Sequence, residues 1–395
     1  MKILFITFRF PHPPLKGDQV RSFNQIREFS RNNDVYLVSA TKESVDEGSI
    51  RKVGKYCEEV KVVENSLVWT FISTAFDFFV RGRSINESYF YERKLERVAA
   101  NIMQNVDIDV VHCCMIRTSQ FEFQFSSVKT SIDFIDALSL NLDRKVEQSP
   151  WWKRWFWQME RRRVETLERE ALDHFDFSFV TSEVDKRSLT SRKVQNDLTV
   201  VPNGVDLEKF KPPDSDDRST RELIFTGNMS YAPNVKAVNY FVEEVFPLIR
   251  EKFPDVCFRI AGAKPVRAVS KLEQIEGVEV LGFVDSIAEC LQHATISVCP
   301  LRSGAGIQNK VLEAMATGTP LVVSSLAVEG IQGGEDGVHY LVGNGAKEFA
   351  DRVNLLLADL DLREQLGEQA RQFMEDNYSW KNQIKKMIRK MNNSV

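Results

Sequence analysis

The sequence lacks an excess of positive charge. Its 395 residues include 52 lysines and arginines against 56 aspartates and glutamates, which gives a formal net charge of -4. A chain without a global positive field does not hold a polyanion along its surface, so nucleic acid is excluded as an expected partner. Any phosphate site is expected to be local.

Cysteine pairs and long hydrophobic runs are also absent. The six cysteines show no CxxC pair and no spacing typical of metal ligands, so we expect reduced thiols of a cytosolic protein and no structural metal. The apolar stretch Leu67 to Val80 is too short to span a bilayer and contains Asp77, which favours a buried or interfacial helix. The apolar opening of the chain breaks at Arg9 and at the turn Pro11 to Pro14, too early for a signal peptide. The expected location is therefore the cytoplasm.

Short apolar runs recur between longer amphipathic stretches along the whole chain. Runs of this kind are typical of fully buried parallel strands. Because the chain exceeds the length at which one hydrophobic core stops growing, we predict an α/β fold with two doubly wound domains. The predicted strands are Ile3 to Phe8, Val35 to Val38, Val110 to His112, Phe177 to Thr181, Leu198 to Val201, Glu222 to Thr226, Cys257 to Ala261, Val278 to Leu281, Ile296 to Pro300 and Pro320 to Ser324.

A span rich in proline, glycine and acidic residues separates the two sets of strands. It comprises Val201 to Asp206 and Pro212 to Asp217 and has no apolar period, so it predicts the domain linker. The predicted domains are residues 1–205 and 206–377. The closing segment 378–395 is predicted to be a helix that could pack on either domain, including a return to the N-terminal one.

The stretch Gly304 to Ala316 carries the strongest functional signal. It follows the predicted strand Ile296 to Pro300, so its layout is strand, glycine turn, helix. Glycines let the backbone approach an anion, and the first turn of a helix offers unpaired N–H groups and a favourable dipole, which suits a diphosphate. Lys310 would add positive charge there, and Glu313, on the same helix face, could accept hydrogen bonds from two sugar hydroxyl groups.

The alternative for this stretch is a plain tight turn, with Lys310 and Glu313 forming a solvated pair one helical turn apart. The position favours the phosphate site, because ligands of doubly wound domains bind at the carboxyl edge of the sheet.

A series of short motifs runs along nearly the whole chain. They are the glycine turn near Gly17, Val201 to Asp206, Phe225 to Asn228, Ala261-Gly262, Leu281 to Asp285, Lys310 to Ala316 and Tyr378 to Trp380. In this order and spacing the motifs resemble the retaining glycosyltransferase family 4 (glycosyltransferase group 1), which is of the GT-B type. Within the family, Gly227 to Met229, Pro233-Asn234 and Gly306 to Lys310 look closest to bacterial sugar transferases of polysaccharide and exopolysaccharide loci.

The resemblance implies two Rossmann-like domains that face each other across a cleft. The N-terminal domain would bind the acceptor and the C-terminal domain a nucleoside diphosphate sugar, either a UDP- or a GDP-sugar. It also implies retention of the anomeric configuration without a required cofactor or metal. Domain closure would exclude water, and the leaving diphosphate would help to deprotonate the acceptor hydroxyl group.

The resemblance also assigns roles in donor binding. Glu313 is the second glutamate of the family's Glu-x7-Glu pattern and would bind the donor ribose, whereas Ala305 replaces the first glutamate. Asn228 and Pro233-Asn234 stand where the common pattern has an arginine and a lysine, so Lys310 would carry much of the phosphate charge and is, with Glu313, a catalytic candidate. The donor-binding candidates are Gly17, Gly227, Asn228, Lys264, Val284, Gly304, Ala305, Gly306, Ile307, Lys310 and Glu313.

Several of these candidates have a simpler alternative. Gly17 would close over the donor phosphates from the opposite domain, or would only form a proline-glycine turn. Lys264, Arg267 and Arg302 are candidate helpers of Lys310, or plain surface residues.

Catalytic and acceptor candidates in the N-terminal domain follow from the same resemblance. His112 is predicted at the carboxyl end of a strand, where the family often shows a His-x-His pair. Here the second position is Cys114, so His112 is either catalytic or a strand-end histidine with structural partners. Arg21, one turn into a helix predicted to begin near Val20, would contact the acceptor or a phosphate group. Asp133 or Asp136 would orient the acceptor hydroxyl group, or would serve as caps.

The stretch Trp151 to Trp157 and the following Arg161 to Arg163 interleave aromatic and basic residues at helical spacing. This composition is typical of an interfacial helix, whose tryptophans lie at headgroup depth and whose cations meet anionic lipid, and it predicts peripheral contact with the inner face of a membrane. The equal alternative is a helix packed on the N-terminal domain with a solvated basic face. Four glutamates soon restore the charge balance: Glu160, Glu165, Glu168 and Glu170.

The sequence thus predicts a transferase that moves a sugar from a nucleotide sugar to a saccharide, lipid-linked or protein glycan acceptor in bacterial polysaccharide or glycoconjugate synthesis. Two alternatives stay open. One is a nucleotide-sugar 2-epimerase of the same architecture. The other is a nucleotide-sugar-binding relative without activity, which Ala305 and Asn228 suggest.

Overall fold

Two compact units make up the chain in the computed structural model. It describes residues 1–41, 44–64, 74, 78, 81–89, 93–124, 128–191, 197–213, 221–304 and 307–392. Unit 1 comprises Met1–Pro202 and Gln383–Val395, and unit 2 comprises Asn203–Asn382.

Unit 1 is built on a parallel sheet of seven strands. The order is β3-β2-β1-β4-β5-β6-β7, so the chain reverses its direction of growth between β1 and β4. The central strands are apolar on both faces because helices cover both. The strands are β1 Lys2–Thr7, β2 Asp34–Thr41, β3 Glu59–Glu64, β4 Val110–Cys114, β5 Lys129–Asp133, β6 Phe177–Val180 and β7 Leu198–Val200. The helices are α1 Gly17–Phe29, α2 Glu47–Gly54, α3 Ile85–Ser88, α4 Arg93–Asn105, a 3-10 segment Ile116–Gln124, α5 Leu138–Gln148, α6 Trp151–His174 and α7 Glu183–Thr190.

Unit 2 repeats the plan with six parallel strands in the order β10-β9-β8-β11-β12-β13. Its reversal lies between β8 and β11, the kind of place where doubly wound sheets bind ligands. The strands are β8 Glu222–Thr226, β9 Cys257–Ala261, β10 Val278–Gly282, β11 Ile296–Cys299, β12 Leu321–Val323 and β13 Leu341–Val342. The helices are α8 Ala232–Tyr240, which continues through a π turn Phe241–Val245 into α9 Phe246–Arg250, then α10 Arg267–Ser270 with a 3-10 turn Lys271–Gln274, α11 Ile287–His293, α12 Asn309–Ala316, α13 Ser325–Val328, α14 Ala346–Ala358, α15 Leu360–Asn377 and α16 Trp380–Asn392.

The predicted α/β fold with two doubly wound sheets is confirmed. Three strands escaped prediction because they lack a continuous apolar run. In β3, with the sequence EVKVVE, only one residue is fully buried; β5 is largely polar; and β13 has two residues.

Two of the motifs are brought together inside unit 2. The backbone N–H of Val205 donates to the carbonyl oxygen of Tyr378 at 2.7 Å. A Cβ atom on Gly204 would lie 2.5 Å from the backbone nitrogen of Trp380, so only glycine fits there. The Val201 to Asp206 motif and the Tyr378 to Trp380 motif are therefore two sides of one contact.

The closing helix α16 joins unit 1 from Gln383 onward. Gln25 donates a long hydrogen bond to the sulfur of Met387 at 3.7 Å, and Lys390 forms an ion pair with Asp197 at 2.6 Å. Ile384 and Met387 are fully buried. Apolar burial thus holds the helix on unit 1.

Two predicted segments fall partly outside the described residues. These are the apolar stretch Leu67 to Val80, of which only Thr74 and Phe78 are described, and the linker beyond Pro213. All six cysteines are free thiols. Among the described helices, none combines the length and apolarity needed to cross a membrane.

Candidate functional site

Two glycine turns interlock at the carboxyl edge of the unit 2 sheet. Gly227 follows β8 with φ 153°, and Gly262 follows β9 with φ 151°. A Cβ atom on Gly262 would lie 1.7 Å from the carbonyl oxygen of Gly227. The N–H of Gly227 donates to Ala261 at 3.0 Å, and the N–H of Gly262 donates to Gly282 at 2.7 Å. The backbones of the two turns therefore approach each other too closely for a side chain at Gly262.

Lys310 lies beside the glycine turn of Gly227, in the first turn of α12. Its ammonium group donates to the Oδ1 atom of Asn234 at 2.6 Å and lies 5.0 Å from the ring centroid of Phe225. A Cβ atom on Gly227 would lie 3.2 Å from its Cε atom. Burial lowers the pKa of Lys310, although Cys299 and Glu313 oppose the shift. Among the described residues no carboxylate forms an ion pair with it, so the site holds a desolvated cation without a counter-ion.

Asn234 is the partner that orients this lysine. Its Nδ2 group donates to the carbonyl oxygen of Asn228 at 3.0 Å, which leaves Oδ1 directed at the ammonium group. The sequence singled out Asn234 only as a substitute for a family lysine. The sequence motif therefore pointed to Asn234, but its hydrogen bond with Lys310 became apparent only in the folded structure.

Glu313 lies one turn further along α12 and is half-buried. Burial raises the pKa of its carboxyl group, whereas Lys209 and Lys310 oppose the shift. Within the described part of the chain, no hydrogen bond or ion pair engages this carboxylate. The alternative of a solvated Lys310–Glu313 pair is therefore not what the structure contains.

The loop before α12 carries the remaining predicted phosphate contacts. Gly304 has φ 135°, which favours glycine, and Ile307 packs against Gly330. Asn203, from the first motif of unit 2, donates to the Oδ1 atom of Asn309 at 3.0 Å and so ties down the helix start. Two predicted donor residues of this loop lie outside the described residues: Ala305 and Gly306.

Other donor candidates have mixed placements. Asn228 accepts hydrogen bonds from the N–H and hydroxyl groups of Ser230 at 2.9 and 2.7 Å, so its side chain closes its own turn. Lys264 is exposed at the end of β9 with φ 58°, and Val284 is half-buried after β10. Arg302 stacks on the ring of Tyr240 at 4.6 Å.

The two other helper candidates and Gly17 are less engaged with this edge. Arg302 also forms an ion pair with Glu244 at 3.8 Å, so its guanidinium group is directed toward that carboxylate. Arg267 is exposed and begins the short helix α10. Gly17 is exposed as the first residue of α1, and a Cβ atom there would meet nothing within 4 Å. The predicted helix start near Val20 was wrong by one turn.

His112 is not at the end of its strand, contrary to the prediction. It pairs with Phe5 and Ser131 in the middle of the sheet, is fully buried, and lies 4.8 Å from the ring of Phe5. Its Nδ1 atom shares a hydrogen bond with the Ser131 hydroxyl group at 2.9 Å. Burial lowers the pKa of His112 to about 4, so the ring is neutral near pH 7. The imidazole is thus enclosed among core side chains, and its Nε2 atom is buried without a hydrogen-bond partner in the described part of the chain. A catalytic role of His112 stays a prediction.

Arg21 and Asp133 form a buried ion pair in place of the predicted contacts to an acceptor. The Arg21 guanidinium group donates to both carboxylate oxygens of Asp133, at 2.5 and 3.2 Å, and both side chains are about 1% exposed. Gln25 donates to the same carboxylate. These groups satisfy one another, so they join α1 to the end of β5.

Asp136 remains at the carboxyl edge of the unit 1 sheet. It accepts a hydrogen bond from Asn141 at 2.7 Å. Burial and the nearby Asp185 raise the pKa of Asp136 to about 6, against the effects of Asn141 and Arg117. The partly exposed carboxylate of Asp136 thus lies near both an acidic side chain, Asp185, and a basic one, Arg117.

Arg117 belongs to the same edge and was not found from the sequence. Burial and the nearby Arg9 lower the pKa of its guanidinium group, and Asp18 and Asp136 oppose the shift. Arg117 lies three residues after the end of β4, just as Asp136 lies three residues after the end of β5. This equal spacing is the sequence feature that could have indicated Arg117.

The turns that lead to these two residues are strained. Met115 and Ile135 have φ values of 75° and 66°, which non-glycine residues rarely adopt and which are least favourable for a β-branched residue such as Ile135. The N–H of Met115 donates to the carbonyl oxygen of Asp133 at 2.7 Å, and the N–H of Ile135 donates to its carboxylate at 3.1 Å. Strain of this kind costs roughly 1–3 kcal/mol per residue and clusters at functional sites.

No group of three or more histidine, cysteine or acidic side chains within the described ranges is arranged to hold a metal ion.

Comparison with known proteins gives a family-model match within unit 2 and a fold for the whole chain. A family model described as glycosyl transferases group 1 matches residues 220–359. Spore coat protein SA of Bacillus subtilis (strain 168) is 24% identical over an alignment of 225 residues, which covers 49% of this chain and 59% of that protein. An uncharacterized 44.6 kDa protein in the cps region of Klebsiella pneumoniae is 20% identical over 96% of this chain and 97% of its own length.

Solved glycosyltransferases of the GT-B type share the fold. The crystal structure of Anabaena HepE (Alr3699) in complex with UDP matches with a TM-score of 0.68 at 14% identity, over all of both chains. Retention and the nature of the donor stay predictions. Residues 220–359 thus match the glycosyl transferases group 1 model, and the chain as a whole has the GT-B fold.

Proposed function

We propose that this chain is a retaining glycosyltransferase that uses a nucleoside diphosphate sugar in bacterial polysaccharide or glycoconjugate synthesis. The observation that carries the proposal is the desolvated ammonium group of Lys310, which among the described residues has an amide and no carboxylate as its partner and lies beside the glycine turn of Gly227. A desolvated cation of this kind is stabilised when an anion such as a phosphate group binds to it. The family match, the UDP in the HepE structure and the cps-region relative all agree with this function.

In the donor site, Lys310 would bind the diphosphate together with the N–H groups at the start of α12 and the backbone of Gly227 and Gly304. Glu313, whose carboxylate is free to accept, would bind the two ribose hydroxyl groups. Lys264, at a strained strand end, and Val284 would line the donor.

The acceptor would bind to unit 1 through Asp136 and Arg117. These groups combine a partly exposed carboxylate with a guanidinium group at neighbouring strand ends, so they could accept from and donate to sugar hydroxyl groups. Arg21 and Asp133 would act indirectly, because their mutual ion pair holds α1 against the end of β5.

The reaction would proceed at the anomeric carbon. The bond from this carbon to the leaving phosphate oxygen breaks, and the acceptor oxygen forms the new bond on the same face. The acceptor proton passes to an oxygen of the departing diphosphate, whose charge Lys310 offsets. No protein nucleophile and no cofactor is required in this scheme, and a cytoplasmic location, where nucleotide sugars are available, fits it.

The test is a panel of UDP, GDP and ADP and their sugars, measured first by thermal stabilisation and then by transfer to saccharide and lipid-linked acceptors. At least one nucleotide should stabilise the protein, because a ligand that binds only the folded state raises its stability. NMR of the product should show the anomeric configuration of the donor.

The matched variants are Glu313→Gln and Glu279→Gln, which is a solvent-accessible glutamate of the same unit. Glu313→Gln should lower turnover by about tenfold or more, because each charged hydrogen bond to a hydroxyl group contributes about 1.5–3 kcal/mol, and Glu279→Gln should not. Stabilisation by no nucleotide would refute the proposal. An epimerised donor without acceptor would identify an epimerase instead.

A further inference from the structure

Helix α6 begins with exposed tryptophans. Trp151, Trp152 and Trp155 are 82%, 55% and 64% exposed. Tryptophan is usually well buried on average, so indoles this exposed within two turns of one helix are unusual. We name these three residues the tryptophan surface.

The tryptophan surface is not a frayed end, because the rest of α6 is anchored in unit 1. Phe156 packs on the ring of Phe78 at 5.6 Å between centroids. The buried carboxylate of Glu160 accepts from the N–H of Ile85 at 3.0 Å, and Val164 and Leu172 are fully buried. The indoles are therefore presented by a fixed helix.

Basic residues lie among the indoles. Lys153 and Arg154 are exposed, and the ammonium group of Lys153 lies 4.5 Å from the ring of Trp152. Lys145, on the preceding helix, lies 3.5 Å from the ring centroid of Trp157. Between residues 144 and 157 the only acidic residue is Glu147, although the whole chain carries a net charge of -4. Positive charge is thus concentrated where the indoles are exposed.

The position of these cations on the helix adds a second argument. The first turn of α6 contains no acidic residue. Cations near a helix N-terminus oppose the helix dipole, usually by about 0.3–1 kcal/mol each. An anionic surface at this end would offset both the dipole and the added cations.

We propose that the tryptophan surface docks this chain on an anionic lipid bilayer. Indoles prefer the headgroup level, and lysine and arginine meet the lipid phosphates there, so the interleaved pattern matches a bilayer interface. Three indoles of this exposure offer about 400 Å² at roughly 150–250 Å² per aromatic side chain. A stable protein interface needs about 800 Å² from each partner, so a second copy or another protein fits this surface less well.

The test is co-sedimentation with vesicles of phosphatidylcholine, with and without phosphatidylglycerol. Wild-type protein should bind the anionic vesicles more tightly, and added salt should weaken that binding. The variant W151S/W152S/W155S should lower the partition coefficient roughly a hundredfold, because each indole loses part of its burial in the interface. The variant K153Q/R154Q should lower it about fivefold per charge removed, and only on anionic vesicles.

The matched control is K236Q/K271Q, which removes the same charge from exposed lysines of unit 2 and should leave binding unchanged. Thermal unfolding of each variant establishes that it is folded, which is expected because the altered side chains are exposed. Failure of the wild type to bind anionic vesicles would overturn the proposal, as would unchanged binding of the triple variant. A dimer of the wild type that the triple variant dissociates, without vesicle binding, would assign the surface to a second copy instead.

Discussion

Replacing Lys310 with methionine separates a ligand-binding role from a structural one. Methionine keeps the length of the side chain over Phe225 and beside Gly227, but removes the charge. In the free protein the ammonium group is desolvated and, within the described part of the chain, donates a hydrogen bond to Asn234 alone. We therefore expect Lys310→Met to leave the stability of the free protein unchanged or to raise it, since burying an ammonium group costs free energy.

Nucleotide binding should change in the opposite direction. A charge-assisted hydrogen bond to a phosphate group contributes about 1.5–3 kcal/mol, which corresponds to a loss of roughly 10- to 150-fold in affinity. At a nucleotide concentration about 100 times the wild-type Kd, the wild type gains about 2.7 kcal/mol of stability. A variant with affinity about 100-fold weaker would gain only about 0.4 kcal/mol under the same conditions.

The assay is thermal unfolding with and without the nucleotide selected by the panel, supported by calorimetric titration for Kd. The matched control is Lys236→Met, an exposed lysine of α8 in the same unit, which should behave as the wild type. Equal nucleotide stabilisation of Lys310→Met and the wild type would refute the phosphate role. A free Lys310→Met protein that is markedly less stable would show that the lysine serves the fold.

Two further predictions concern stability. Gly262→Ala should lower the free energy of unfolding by about 2–3 kcal/mol or more, because the added Cβ atom would meet the carbonyl oxygen of Gly227 and alanine rarely adopts this φ. The control is Gly337→Ala, where φ is positive but the space is open, and its free energy of unfolding should fall by only about 1 kcal/mol. Equal losses for the two variants in urea unfolding would refute the contact. Burial raises the pKa of Glu168 to about 7 from 4.5, so the folded state binds this proton more tightly and stability falls as pH rises from about 4.5 to 7. Glu168→Gln does not titrate, so its stability relative to the wild type should rise by up to about 3 kcal/mol between pH 5 and 8; a difference independent of pH would contradict the buried placement.

Local patterns predicted most of the fold. Strands such as β1 and β8 are buried on both faces and appear as continuous apolar runs, so their parallel arrangement followed from the sequence. Edge and polar strands did not, because β3 is an edge strand with one buried residue and β13 pairs through only two residues.

The candidate donor site was also largely predictable from local sequence. A strand, a glycine turn and a helix with Lys310 in its first turn are consecutive, so their order alone predicted a local anion site. The pairing of Lys310 with Asn234 was not predictable, because 76 residues separate them. Because its partner is the neutral amide of Asn234, the ammonium group keeps a net positive charge at this site.

The exposure of the catalytic and acceptor candidates in unit 1 depended on contacts between distant segments. Arg21 and Asp133 are separated by 112 residues in the sequence, and their ion pair is buried, so neither side chain is exposed to solvent. His112 is enclosed by side chains from β1 and α1, so its neutrality comes from desolvation rather than from its own strand.

The sequence by itself determined the parallel sheets, the glycine turns and the basic tryptophan segment, because these depend on neighbouring residues and on backbone conformation. Only the tertiary structure decided which charges are paired, which are desolvated and which indoles are exposed. The physical reason is that hydrogen-bond geometry and burial depend on atoms from remote parts of the chain, and these set the pKa and accessibility of each group.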